Sequence, residues 1–150
     1  MDVAAALWGG IIGAIVAATV YAGFLALRLT RLDGLRFTGG LLLHERSNVL
    51  YLYGAVTQLV AGALVALAYR AILPHTGAAT YVFWGTLLGL AQGVLLLALL
   101  PLLGLANRNV RAGEEPNPGL AGLAYGRLTP LAVLVASAVF GTWVGIVLLP

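Results

Sequence analysis

The sequence has no cysteine and no lysine, and only eight basic and five acidic residues among 150. Without cysteine there is no disulfide framework, no thiol nucleophile and no thiolate metal site. No charge falls between residues 79 and 104, and none sits in the middle of any long apolar run. Proton relays and coupled carriers keep an ionisable group at membrane depth, so its absence argues against active transport and hydrolysis. A phosphate-binding glycine loop followed by lysine, an HExxH pair and a serine elbow are missing too. No catalytic residue, metal site or cofactor can therefore be nominated.

What remains is apolar. Hydrophobic residues make up 61% of the chain, charged ones 9%, and the mean hydropathy is +1.01; soluble proteins average about 45–50% and about 25%. Four runs stand out, at about 4–27, 48–73, 79–104 and 131–149. Each is long enough to cross a hydrocarbon core of about 30 Å as a helix. They are too long and too uniform for the alternating strands of a membrane barrel. The expected fold is all-α, a polytopic membrane protein with a compact four-helix transmembrane bundle forming one domain over 1–150. The first run follows Asp2 with no basic flank and exceeds the apolar core of a signal peptide, so it is expected to stay attached. A pI near 9.7 does not indicate nucleic-acid binding here, because that needs a basic patch on a folded surface.

The arginines serve orientation instead. Arg28, Arg31, Arg36 and Arg46 follow the first run, Arg108, Arg111 and Arg127 follow the third, and Arg70 alone marks the other side. The positive-inside rule puts loops 28–47 and 105–130 in the cytoplasm and both termini outside. In the first loop, Arg28, Arg31 and Arg36 alternate with Leu32, Leu35 and Phe37, the pattern of a short interfacial segment with guanidinium groups at phosphate level. Arg28, Arg31, Arg36, Arg108 and Arg111 are thus the expected contacts to anionic lipid headgroups or to a partner. Gly39 and Gly40 suggest a hinge, Ser47 or Asn48 an N-cap, and Pro74 the end of the second helix. The third loop, with Glu114, Glu115, Pro116 and Pro118, is expected as an exposed polar connection and a possible docking surface. His44 and His75 fall on opposite sides of the bilayer, too far apart to share a metal or a haem.

Small residues recur four apart on every run: Gly9, Gly13 and Ala17; Gly54, Gln58, Gly62 and Ala66; Gly85, Gly89 and Gly93; Ser137, Gly141 and Gly145. In lipid there is no hydrophobic gain in pushing helices together, so close backbone approach at small residues is what holds them. These GxxxG-like faces can meet inside one chain, between copies, or against another subunit. Gln58 and Gln92 are the amides at membrane depth, with Thr57, Thr86, Ser137 and Thr142 nearby, and an amide in hydrocarbon needs an inward partner. Trp8–Ala18 also aligns with Trp84–Val94 at an offset of 76 residues, hinting at a parallel duplication of two spans.

The glycine-spaced first run, the segment VALAYR at 65–70 and the Asn117–Gly119 turn before the last run are together similar to uncharacterised small four-span bacterial inner-membrane proteins grouped as domains of unknown function. Tyr125 and Gly126 stand where such proteins often carry histidine and glycine. The resemblance implies no activity and assigns no site. Two functions follow from the residues. The first is a structural or accessory role in a homo-oligomer or a larger membrane complex; the second is a passive channel or carrier for a small neutral or weakly polar solute. An enzyme using His44 and Glu45 beside the arginines is a remote third.

Overall fold

The structure, a computed structural model, describes residues 2–44, 47–76 and 80–149. Glu45, Arg46 and the start of the third run at residue 79 therefore lie outside the described residues. Among the described residues six helices follow in order: α1 (Val3–Ala26), α2 (Gly34–Leu42), α3 (Val49–Ile72), α4 (Tyr81–Ala106), α5 (Arg108–Arg111) and α6 (Thr129–Val147). Short 3-10 turns cover Leu73–Thr76 and Leu120–Tyr125. The chain is all-helical among the described residues. Four helices, α1, α3, α4 and α6, are long and apolar enough to cross a membrane.

Local chemistry sets the ends. Asp2 accepts from the Ala4 amide at 3.0 Å and starts α1; Asp33 accepts from the Arg36 amide at 3.1 Å and starts α2. Asn48 precedes α3 without a side-chain bond, and Ser47 Oγ accepts from the Val49 amide at 3.3 Å. At the end of α1 the Leu29 amide reaches back to the Phe24 carbonyl, which turns Arg28 to φ 58°, a place where glycine is usual.

Packing is uneven. α6 is the innermost helix, 44% of its apolar window being buried against 28% for the other three. It lies between α1 and α4. Along α4–α6 the backbones touch: a side chain at Gly89 would overlap the Ser137 carbonyl, and one at Gly141 the carbonyl of Gly85. A side chain at Gly145 would also overlap the Tyr81 carbonyl, and Gly93 rests on the Ser137 side chain. On α1, Gly10 meets the Gly62 carbonyl of α3, whereas Gly9 and Gly13 face Val147 and the Phe140 and Trp143 rings of α6. The aligned glycines Gly9 and Gly85 thus both face α6, which is not the pairing a two-span duplication would repeat. The nearest neighbour of Gly54 is not a spanning helix but the Leu35 carbonyl of α2.

The loops differ from expectation. Leu32 and Phe37 are each only 4% exposed and pack with Leu97, Leu100 and Val133, so this segment turns its apolar groups into the protein rather than toward lipid. The reason is the room beside α3. Gly39 lies on the Leu50 backbone and Gly40 on the Asn107 side chain, so these glycines give α2 close contact instead of acting as a hinge. Loop 105–130 is likewise packed: Asn107 and Asn109 are 0% exposed. Asn107 accounts for much of this, since its Nδ2 donates to the Phe37 carbonyl at 2.8 Å while its Oδ1 caps α5 through the Asn109 and Val110 amides. The buried hydroxyls of Thr30 and Thr129, 2.8 Å apart, join the first loop to the start of α6.

Candidate functional site

α3 and α4 barely touch, and the space they leave is a cavity of about 500 Å³ reaching α1 and α6 and floored by α2. Its walls are mainly alanine, leucine and phenylalanine, among them Ala18, Leu96, Leu100 and Phe140. Both amides singled out in the sequence line it, at different depths, and each pairs with a hydroxyl rather than with the other. Gln58 Nε2 donates to Thr38 Oγ1 at 3.4 Å, a long contact near α2. Deeper in, the Tyr69 hydroxyl donates to Gln92 Oε1 at 3.0 Å and forms a bridge from α3 to α4. Tyr69 is held edge-on against Phe140, ring centres 6.0 Å apart.

A second, polar cavity of about 380 Å³ adjoins the first at the loop end, and Leu25, Leu32, Asp33 and Tyr51 wall both. Arg31, Arg36, Glu115 and Tyr125 complete it. Arg36 Nε donates to Glu115 Oε1 at 2.5 Å, and this bond holds the guanidinium above its ordinary pKa. Burial pushes Tyr125 up to about 12, with the Glu115 charge adding to it, and its hydroxyl donates to the Pro116 carbonyl at 2.9 Å. The Tyr51 hydroxyl donates to Asp33 Oδ2 at 2.9 Å, across the junction of the two cavities. His44 Nε2 lies 3.3 Å from Glu114 Oε1. The acidic pair is therefore engaged with the first loop.

Of the arginines singled out in the sequence, Arg31 and Arg36 wall the polar cavity, while Arg28, Arg108 and Arg111 are exposed and line neither cavity. Sequence reading missed Tyr21, Tyr51 and Tyr69. The signal was present, since a phenol within an apolar run must find a partner for its hydroxyl: Tyr21 donates to the Leu32 carbonyl at 3.0 Å and ties α1 to the first loop. No group of three or more metal-binding side chains occurs among the described residues.

No family model, curated protein or solved structure matches the chain. The class therefore comes from the fold and cavity alone: a multi-pass helical membrane protein whose spanning helices flank a half-open apolar cavity beside a smaller polar one.

Proposed function

We propose that the chain is a passive holder or carrier of a small neutral or weakly polar molecule, taken into the chamber between α3 and α4. The carrying observation is the cavity itself, whose volume of about 500 Å³ falls among small-molecule sites of roughly 300–1,000 Å³. The accessory or oligomeric reading loses its main support, because Gly85, Gly89, Gly141 and Gly145 are spent on contacts within one chain. It would regain support from a stable oligomer or a copurifying polypeptide when the mass is measured in mild detergent.

The orientation that fits this reading has loops 28–47 and 105–130 in the cytoplasm and both termini outside. It is supported by the arginine distribution and by the Arg36–Glu115 pair, which joins the two loops at one end. Exposed Arg28, Arg31, Arg108 and Arg111 would then stand at the level of anionic headgroups. The decisive test is organic extraction of the purified protein followed by mass spectrometry. A small molecule is expected near one per chain in the natural protein and is expected to be lost in Ala18→Leu. A natural protein that carries nothing and gives no solute flux in liposomes would sink the proposal.

A further inference from the structure

Among the serine and threonine hydroxyls inside the spanning helices, apart from Thr129 at the start of α6, which pairs with Thr30, one habit recurs. Thr19, Thr57, Thr86 and Thr142 each return their proton to a carbonyl four residues back on the same helix. Ser137 does not. It is 8% exposed, it walls the apolar cavity, and its hydroxyl has no hydrogen-bond partner among the described residues. Gly93 packs directly on its side chain, which brings the neighbouring Gln92 to the same depth. There the Tyr69 hydroxyl donates to the Gln92 oxygen, and Gln92 Nε2 is left with two N–H donors and no partner among the described residues.

An apolar chamber with unsatisfied donors at one end is costly when empty of acceptors, since each bare donor forgoes the bond it would make in water. The complement is an acceptor oxygen on an otherwise apolar molecule. An anion does not fit, because the one charged wall residue is Asp33, an acid at the loop end. We propose that the deep end of the cavity binds a neutral lipophile through a carbonyl oxygen, of the quinone or ketone class, with Ser137 Oγ and Gln92 Nε2 as its donors. This rests on the cavity being a binding site, as above.

The test compares two probes on the full chain in nanodiscs: decylubiquinone, which carries carbonyl oxygens, and decylbenzene, which has the tail and ring without them. Retention is read by native mass spectrometry against empty nanodiscs. Decylubiquinone is expected to bind, and Ser137→Ala should weaken it by about five-fold, the loss of one neutral hydrogen bond, and Gln92→Leu by at least as much, because it also removes the acceptor of the Tyr69 hydroxyl. Ser137→Ala should not change decylbenzene. Equal binding of both probes, insensitive to both variants, overturns the assignment of donors and leaves the cavity reading standing. Retention of neither probe overturns both.

Discussion

The α4–α6 seam and the α3–α4 side share a helix and come out opposite. Toward α6, α4 presents Gly85, Gly89 and Gly93, and the two backbones meet. Toward α3 it presents Gln92, Leu96, Leu100 and Leu103, and the helices stand apart around a chamber. Side-chain volume along one stripe decides the outcome. In water a gap of this kind would tend to close, because closing it removes apolar surface from solvent. In lipid that drive is missing, so a helix pair closes only where shape allows close packing. A membrane bundle can thus keep an apolar chamber in a way that a soluble one of the same size rarely does.

The largest expected effect breaks the seam. Gly89→Leu places a side chain into the Ser137 carbonyl, an overpacking at the upper end of about 1–3 kcal/mol, and folded yield in mild detergent should collapse. Leu87→Phe, on a side chain already 38% exposed, should leave the yield unchanged. Equal losses would show that the seam is not where the bundle is held. On the open side the same addition of bulk should be tolerated: Ala18 lines the cavity, so Ala18→Leu has space to enter and is expected to cost less than the overpacking penalty of about 1–3 kcal/mol, read as a small change in thermal midpoint. A collapse there would mean the chamber is closed in the folded protein.

Smaller effects sharpen the contrast. Tyr69→Phe removes the hydrogen bond from α3 to α4 and should cost about 0.6 kcal/mol, up to about 1.7, with no effect on the seam when combined with seam variants. The last pair, Arg36 and Glu115, joins the loops with side chains 37% and 14% exposed. A double-mutant cycle with Arg36→Gln and Glu115→Gln should give at most about 1 kcal/mol. That coupling should fade as salt is raised, because a partly exposed pair is screened. A larger, salt-insensitive value would mean that the vestibule is drier than its exposure indicates.

The spanning helices were legible because their cause is one-dimensional: uninterrupted apolar length gave all four within two residues at each end. The small-residue stripes were legible as faces but not as pairings. Gly54 shows why, since its spacing is the same as that of Gly62 while its neighbour is α2 rather than a spanning helix. Gln58 and Gln92 were legible as inward groups, because hydrocarbon forbids the alternative. Their hydroxyl partners, Thr38 and Tyr69, depend on how helices distant in sequence come to lie side by side. The loops were the least legible: Leu32 and Phe37 suit a lipid interface and a protein interior equally well, and only the space beside α3 decides between them.

The site of α2 also imposes an order of assembly. Its Phe37 carbonyl is bonded by Asn107, 70 residues further on, and its Phe37 ring packs on Leu97, Leu100 and Val133. None of these exists when α2 leaves the ribosome. At about 5–20 residues per second, the 70-residue separation corresponds to a wait of about 4–14 s, during which α2 has α3 to lie on, through Gly39 on Leu50 and Leu35 on Gly54, but lacks its bond from Asn107. The floor of the chamber is therefore seated on α3 first and locked later, and a chain stalled before residue 107 would lack that lock at the end that later becomes the vestibule.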